Sequence, residues 1–483
     1  MIEGYVVPDE RKKILLLSDD FRKYSGVATV SKEIVLSTAH RYNWVQIGAA
    51  IRSTTESQEF DMSEEVNRET GLEDSRVKII PSNGYGNQAF LLQILDREKP
   101  DAVLIFTDPR YWIWLFEMEQ EIRRSIPIIY LNIWDNLPYP FYNKPYYRAC
   151  DGLLAISKQT KNINEQVLGQ EAVDHVIRYV PHGVSNKYFP IQKVNNGSEY
   201  LKLRKRFRGT SEFVLLYNAR NLGRKQVGNL ILAWQHFCNT IGKEKAVKCK
   251  LLCHTDIVDR AGTDLEAIYR DLCDKSYVKV EFIQQSFSTE RMNYLYNASD
   301  GVILTSSNEG WGLSLTEALM TGKMFIATVT GGMQDQMRFE DENGNWIDFS
   351  EKFASNHTGL VRACGNWAIP VFPDNITLQG TPMTPYIFDD RVSIEKISGA
   401  ILELYNLSKE ERSERGMNGY RWAISEEAGF TSKQMGARLI EGIDATLEHF
   451  NKHPRPRYTL ERVDRFVTTV ENYNPLKYER KAD

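Results

Sequence analysis

The sequence lacks the features that mark membrane-spanning, zinc-binding and disulfide-stabilised proteins. No apolar run in its 483 residues approaches the roughly 20 residues that a helix needs to cross a bilayer. Six cysteines are present, and even the close pair Cys249 and Cys253 is not followed by a second Cys or His pair at zinc-finger distance. We therefore expect free thiols in a reducing compartment and no metal site.

An excess of charge of one sign is also missing. The formal net charge of −4 gives no general case for binding nucleic acid or an anionic membrane, although it leaves room for a local basic patch and for peripheral membrane contact. The first residues show no signal-peptide pattern, so we expect a cytoplasmic protein. The apolar content of 42% is that of a soluble globular protein, and the length predicts two domains.

Short apolar runs alternate with helical patterns along the chain. Runs that predict strands lie at 13–19, 44–48, 77–81, 101–108, 128–133, 152–157, 176–180, 212–219, 250–254, 278–283, 300–305 and 323–328. This alternation is typical of open, mostly parallel sheets covered by helices on both faces. Loop-forming residues interrupt the pattern at 190–212, and we place the boundary between a first domain, 1–205, and a second, 206–434, in this region.

The basic run Lys202–Arg208 lies at this boundary. We interpret it as a solvated helix face. A patch facing an anionic acceptor is the alternative.

The most informative stretch runs from Ser306 to Gly322, with the sequence SSNEGWGLSLTEALMTG. Apolar runs precede and follow it, and Leu313, Leu315, Ala318 and Leu319 recur at near-helical spacing. The pattern predicts a strand, a glycine-rich loop, a helix and a second strand. Free N–H groups and the positive end of a helix meet at such a loop, which suits a phosphate or pyrophosphate.

Two glutamates bracket the glycine-rich loop. On a single helix, Glu309 and Glu317 would stand roughly 12 Å apart along the axis. A glycosidase carboxylate pair needs about 5 to 9.5 Å, so this spacing better fits the two ends of one extended ligand, such as a nucleotide sugar. Two ordinary surface glutamates are the simpler alternative.

Two other strand ends carry candidate ligand-binding residues. Ser25 and Gly26 follow the first strand, where a small residue allows close backbone approach, although an ordinary helix cap has the same pattern. Arg220 and Lys225 follow the first strand of the second domain, at the sheet edge where doubly wound folds bind ligands. Arginine there could grip a diphosphate with two hydrogen bonds, and plain surface charge is the alternative.

Taken together, these motifs resemble the retaining GT-B glycosyltransferases of family 4. The resemblance covers nearly the whole chain and rests, in chain order, on Ser25-Gly26-Val27, Pro181-His182-Gly183-Val184, Arg220-x4-Lys225, Glu309-x7-Glu317, Gly331-Gly332 and Arg421-Trp422 with Phe430. It implies an α/β protein of GT-B architecture, with two Rossmann-like doubly wound domains and a cleft between them. It also implies that a helix in the last segment, 435–483, crosses back to the first domain before a charged tail.

The resemblance implies a donor site on the second domain. Its predicted residues are Gly26, Arg220, Lys225, Glu309, Gly310, Trp311, Gly312, Leu313 and Glu317. Arg220 and Lys225 would neutralise the donor diphosphate, and Glu317 would bind the ribose hydroxyls. Glu309 and the backbone of 310–313 would hold the donor sugar and phosphates, while Gly26 would let the first domain approach them.

The chain departs from the family pattern in three places. Many relatives carry a histidine near Asp135, and we predict an acceptor-side or sugar-contacting role for this aspartate, with a structural turn as the alternative. Asp335 is the nearest acid where relatives have a glutamate after Gly332. Residues 336–388 exceed the usual connection, and we interpret them as an insertion that shapes acceptor choice or as a plain surface elaboration.

The predicted activity is transfer of a sugar from a nucleoside-diphosphate sugar to an acceptor hydroxyl, with retention of the anomeric configuration. The predicted catalytic residues are Asp135, Arg220, Lys225 and Glu309. The family implies that neither a metal nor a cofactor is needed, and its commonest acceptors are glycans and lipid-linked glycans. Two alternatives stay open: glycosylation of a modified nucleic-acid base, and a GT-B sugar-nucleotide epimerase.

Overall fold

The chain forms two large, mostly parallel sheets, each flanked by helices, and the loops at the carboxyl ends of their strands meet in a cleft. The computed structural model describes residues 4–51, 58–192, 198–350 and 360–453. Each predicted apolar run forms a strand, which confirms the predicted α/β architecture. The predicted charged tail lies outside the described residues.

The first sheet has the strand order β3-β4-β2-β1-β5-β6-β7-β8, with only β3 antiparallel to its neighbour among the described strands. Its strands are β1 (Lys12–Asp19), β2 (Tyr42–Ile51), β3 (Phe60–Asp61), β4 (Val77–Asn83), β5 (Ala102–Phe106), β6 (Ile128–Asn132), β7 (Gly152–Ala155) and β8 (Val176–Tyr179). Its helices are α1 (Gly26–Thr38), α2 (Ser63–Thr70), α3 (Gln88–Glu98), α4 (Ile113–Phe116), α5 (Glu119–Ile122), α6 (Lys144–Arg148) and α7 (Lys158–Leu168). The inner strands are apolar on both faces because helices cover both sides.

The second sheet is parallel throughout its described strands, in the order β11-β10-β9-β12-β13-β14. Its strands are β9 (Phe213–Asn218), β10 (Cys249–His254), β11 (Val280–Ile283), β12 (Gly301–Leu304), β13 (Phe325–Thr328) and β14 (Ala368–Val371). Its helices are α8 (Glu199–Arg208), α9 (Val227–Ile241), α10 (Lys243–Ala246), α11 (Leu265–Leu272), α12 (Thr289–Ala298), α13 (Leu313–Met320), α14 (Met333–Met337), α15 (Ile394–Asn406) and α16 (Lys409–Ala423). Across the described residues, no helix is both long and apolar enough to span a bilayer.

Two boundaries differ from those predicted. The predicted domain boundary at 205 falls inside α8, and this helix packs against α12 of the second domain. The predicted insertion at 336–388 contains the sheet strand β14. The added piece is an antiparallel hairpin, β15 (Asn375–Thr381) and β16 (Thr384–Arg391), which pairs with neither large sheet.

The chain crosses between the domains twice, and the two crossings are hydrogen-bonded to each other. Val184 on the first crossing accepts a hydrogen bond from the Ser432 N–H and donates its own N–H to the Phe430 carbonyl on the second. The last helix, α17 (Ser432–Lys452), then packs on the first domain against α1, β7 and β8. Tyr42 fixes it there by donating a hydrogen bond of 2.7 Å from its hydroxyl to Asp444.

We predict that Gly436→Ala in α17 lowers the melting temperature of the protein. A Cβ at Gly436 would lie 2.6 Å from Cβ and 3.0 Å from the carbonyl oxygen of Ser37, so α17 would have to move away from α1. Gly399→Ala in α15 is the matched control, because a Cβ there meets nothing within 4 Å and alanine favours the helix by about 1 kcal/mol. Thermal unfolding of both variants checks this, and a Gly436→Ala protein as stable as the control would contradict it.

Candidate functional site

The glycine-rich loop of the second domain packs directly on the strand ends of the first. A Cβ at Gly310 would lie 2.8 Å from the carbonyl oxygen of Ile133 and 3.1 Å from Ile156 Cδ1. Inside the second domain, the Gly332 N–H donates a hydrogen bond of 2.9 Å to the Glu309 carbonyl. Gly331 has a φ of +51°, and a Cβ there would come within 2.0 Å of that same oxygen. The predicted Gly331-Gly332 pair therefore shapes the backbone beside Glu309.

Two helix N-termini face each other across the cleft. Helix α1 begins at Gly26 and α13 begins at Leu313, and a Cβ at Gly26 would lie 3.5 Å from Leu313 Cδ1. Ser25 caps α1 by accepting a hydrogen bond from the Ala28 N–H. The structure thus brings the predicted residues Gly26, Gly312 and Leu313 together, with the positive ends of both helices at one place.

Glu309 lies in a cluster with two cations. The Arg224 guanidinium is 3.0 Å from Glu309 Oε2, and Lys225 Nζ forms an ion pair with the same oxygen. Ser306 donates a further hydrogen bond of 3.1 Å to it. Burial disfavours the charged carboxylate, but Arg224 and Lys225 outweigh it and hold the pKa of Glu309 below its usual value. Glu309 therefore stays a carboxylate, with its negative charge shared between two cations.

The arginine that contacts Glu309 is Arg224, which the sequence analysis did not select. The Arg220 side chain is 64% exposed and pairs with Asp259 at 2.6 Å, outside the Glu309 cluster. Arg224 also donates a hydrogen bond of 2.8 Å to the Asn308 carbonyl, which ties it to the glycine-rich loop. The signal for Arg224 in the sequence was its place directly before Lys225, in a run of two cations.

Asp135 lies across the cleft from this cluster, after strand β6. Its side chain is half-buried and lines the same cavity as Arg224 and Asn308. Burial raises the pKa of Asp135 to about 6, against the opposing effect of Arg224 and with a further contribution from Glu309. The structure therefore brings Asp135 to the Glu309 cluster, as a carboxyl group that titrates near neutral pH.

Glu317 lies in α13 with both carboxylate oxygens occupied. Tyr188 donates a hydrogen bond of 3.0 Å to Oε1, while Tyr296 and Asn218 donate to Oε2 at 2.5 Å and 3.3 Å. Burial raises the pKa of Glu317 to about 7, although the three donors favour its ionised form. Tyr188 lies on the first crossing between the domains, and its contact with Glu317 depends on the tertiary fold, so no sequence pattern marked it.

Trp311 and Asp335 contact residues outside the second sheet. The Trp311 ring is buried, with its centroid 5.0 Å from that of Phe430 and 6.4 Å from that of His182. Asp335 Oδ2 accepts hydrogen bonds from the Lys158 N–H at 2.9 Å and from the Tyr179 hydroxyl at 3.0 Å, both in the first domain. Asp335 thus forms a polar contact between the two domains.

A cavity of about 520 Å³ lies between the domains beside Asp135. Its walls come from the first domain, from the strand ends of the second, and from the β15–β16 hairpin. The lining residues are Asp108, Pro109, Arg110, Ile133, Trp134, Asp135, Asn136, Arg224, Asn308, Gln379, Gly380, Thr381, Thr384, Ile387, Asp389 and Arg391. Its volume is within the range of small-molecule sites.

The hairpin closes the cavity by contacting both domains. Its Phe388 N–H donates a hydrogen bond of 2.6 Å to the Leu137 carbonyl of the first domain. The Asp390 N–H donates one of 3.0 Å to the Ser307 carbonyl beside the glycine-rich loop. The hairpin therefore lies at the cleft, where an insertion that shapes acceptor choice would have to lie.

Comparisons with known proteins agree with this architecture. Residues 202–357, which include Arg220, Lys225, Glu309 and Glu317, match the family described as Glycosyl transferases group 1. No curated protein sequence matches the chain.

Solved structures with a similar fold include three sugar-transferring or sugar-phosphate-forming proteins. A glycosyltransferase from Rickettsia africae ESF-5 is 15% identical over 91% of this chain and 99% of its own, with a TM-score of 0.58. An alpha,alpha-trehalose-phosphate synthase (UDP-forming) from Burkholderia vietnamiensis is 9% identical over 92% and 98%, with a TM-score of 0.62. A sucrose-phosphate synthase from Thermosynechococcus elongatus is 13% identical over 91% and 100%, with a TM-score of 0.59.

We predict that Arg224→Gln destabilises the protein by about 1 kcal/mol or more at pH 8, because Glu309 would remain buried with one cation instead of two. Arg220→Gln is the matched control, since it removes the same group from a pair whose arginine is 64% exposed, and an ion pair that reaches the solvent contributes little. Urea unfolding of both variants measures the difference. Equal stabilities would show that Arg224 is not needed to hold Glu309.

Proposed function

We propose that the chain is a glycosyltransferase that moves a hexosyl group from a nucleoside-diphosphate sugar to an acceptor hydroxyl with retention of configuration. Its GT-B fold and the match of residues 202–357 to the Glycosyl transferases group 1 family support this proposal. The observation that carries this proposal is the Glu309 cluster. A carboxylate paired with Arg224 and Lys225 lies beside a helix N-terminus on one side of the cleft, and Asp135 faces it from the other side.

The donor diphosphate fits the place where the N-termini of α1 and α13 meet. The Leu313 N–H donates a hydrogen bond of 3.0 Å to the Trp311 carbonyl, and a phosphate oxygen would take the place of that carbonyl. Gly26 lies on the opposite side, where a Cβ would be 3.5 Å from Leu313 Cδ1. We propose that Arg220 and Lys225 neutralise the diphosphate, with Arg224 as a third cation. Fixed cations and helix ends stabilise the charge that develops on a departing diphosphate, and we propose no metal or other cofactor for this role.

The ribose fits at Glu317. In this structure the hydroxyls of Tyr188 and Tyr296 donate to the Glu317 carboxylate, and ribose hydroxyls are donors of the same kind. We propose that a ribose hydroxyl replaces the Tyr188 hydroxyl at Oε1. The exchange keeps the half-buried carboxylate hydrogen-bonded before and after donor binding, and an unpaired buried carboxylate would be costly.

Retention is proposed to follow a front-face route. The bond between the anomeric carbon and the diphosphate oxygen breaks, and the acceptor oxygen forms its bond to the same face of that carbon. The proton of the acceptor hydroxyl passes to the departing phosphate oxygen, so atoms and charges balance without a covalent enzyme intermediate. Asp135, on the acceptor side of the cavity, would accept a hydrogen bond from a hydroxyl of the acceptor or of the donor sugar.

We predict that the protein releases nucleoside diphosphate from at least one sugar in a panel of UDP-, GDP- and ADP-sugars, and that Arg220→Ala reduces turnover at least about tenfold by removing a cation from the leaving group. Arg270→Ala is the control, because Arg270 is also exposed and paired with a carboxylate, that of Asp271 on α11. The measurement is released nucleoside diphosphate, with and without EDTA. No release from any donor would count against the transferase, and full activity of Arg220→Ala would remove Arg220 from the site.

We predict that affinity for the matching nucleoside diphosphate rises by up to about tenfold between pH 6 and pH 8, because the carboxylate form of Glu317 accepts ribose hydrogen bonds and its pKa is about 7. Below that pH the carboxyl group is protonated and accepts fewer hydrogen bonds. In Glu317→Gln the side chain cannot ionise, so we expect this part of the pH dependence to disappear, while titration of the ligand's own phosphate remains in both proteins. Calorimetric titration measures the affinity at each pH. Identical pH profiles for the two proteins would contradict the assignment of Glu317 to the ribose.

A further inference from the structure

The β15–β16 hairpin supplies a wall of the cavity that neither Rossmann-like domain provides. Its residues Gln379, Thr381, Thr384, Asp389 and Arg391 line the cavity opposite Asp135. The hairpin is anchored at this position: the Tyr142 hydroxyl donates a hydrogen bond of 2.8 Å to the Tyr386 carbonyl, and the two rings pack edge to face at 4.8 Å. A molecule in the cavity would therefore touch the hairpin.

The cationic and anionic side chains of the cavity are equal in number, and every cation has a carboxylate partner. Three arginines and three aspartates line it: Arg110, Arg224, Arg391, Asp108, Asp135 and Asp389. Each guanidinium already pairs with a carboxylate, Arg110 with Asp108 at 2.7 Å, Arg391 with Asp389 at 2.8 Å, and Arg224 with Glu309 at 3.0 Å. A phosphate or carboxylate group that entered would have to compete with these carboxylates for every cation and would be repelled by them.

The remaining groups suit hydroxyls. Asn136, Gln379 and Thr381 offer amide and hydroxyl groups that both donate and accept hydrogen bonds, while the Asn308 amide already donates one of 2.6 Å to Asp389. Apolar side chains such as Ile387 supply contact area for the C–H faces of a ring. A sugar ring has hydroxyl groups and apolar C–H faces, and it is therefore complementary to this combination of polar and apolar side chains.

We infer that this cavity is the acceptor subsite, that the β15–β16 hairpin is its specificity element, and that it takes a sugar ring without a phosphate or carboxylate at the bound unit. The inference rests on the proposed function, because it names the acceptor class of that reaction. It differs from what the names of two similar structures suggest for those proteins, which are synthases of sugar phosphates.

The test removes one negative charge from the hairpin in one variant and one positive charge in another. Asp389→Asn leaves Arg391 without its carboxylate, and Arg391→Gln leaves Asp389 without its guanidinium. Asp374→Asn is the control, since Asp374 lies at the foot of the same hairpin and pairs with Lys396 at 2.7 Å outside the cavity. With the donor that the wild-type enzyme turns over, acceptor-stimulated release of nucleoside diphosphate is measured with glucose, mannose, galactose and maltose, and with the corresponding hexose 6-phosphates.

For the wild-type enzyme, we expect kcat/KM for at least one neutral sugar to exceed that for its 6-phosphate by about tenfold or more. Asp389→Asn should narrow this ratio by improving use of the phosphate, Arg391→Gln should widen it, and Asp374→Asn should leave it unchanged. General damage to the site cannot shift the ratio in opposite directions in two variants.

Three results would overturn the inference: a preference for 6-phosphates in the wild-type enzyme, no stimulation by any neutral sugar, or a ratio that neither hairpin variant changes. Slow release of nucleoside diphosphate without acceptor separates these results from failure of the proposed function. If that release occurs while neutral sugars fail to stimulate it, only the acceptor inference is wrong. If no donor is turned over under any condition, the proposed function itself fails.

Discussion

The site depends on one buried electrostatic arrangement, the carboxylate of Glu309 held between Arg224 and Lys225. A carboxylate at this depth is stable only because the two cations and the Ser306 hydroxyl compensate for the lost hydration. The cluster also connects separate pieces of chain, since both cations follow β9 and the glutamate follows β12. Adjacent parallel strands place these loops side by side, so the sheet topology determines which charges meet.

The same loop that carries Glu309 forms the contact between the domains. Gly310 lies against the end of β6, and Gly331 and Gly332 pack against the backbone of Glu309 and Gly310. The loop is therefore held in place by both domains. Asp335 and the hairpin add polar contacts farther along the cleft. The Glu309 cluster and the interdomain contact are therefore built from one stretch of chain, and a change in domain position would alter the surroundings of Glu309 directly.

Much of the fold could be predicted because fully buried parallel strands appear in the sequence as short apolar runs. The hairpin could not, since β15 is exposed along nearly all its length and Leu378 is 63% exposed, so it shows no apolar pattern. For the site, motif spacing identified Lys225, Glu309 and Glu317 as candidates. It could not distinguish Arg220 from Arg224, because both follow the same strand and only the turn between them decides which guanidinium faces Glu309.

The paired crossings between the domains constrain how the cleft can open. A single linker would let the domains swing and twist in any direction, but here two stretches of chain run side by side and are hydrogen-bonded at Val184. Two connected stretches of this kind allow the domains to rotate about one axis and resist rotation about the others. Opening and closing would then follow one path and return Glu309 and Asp135 to the same relative position each time.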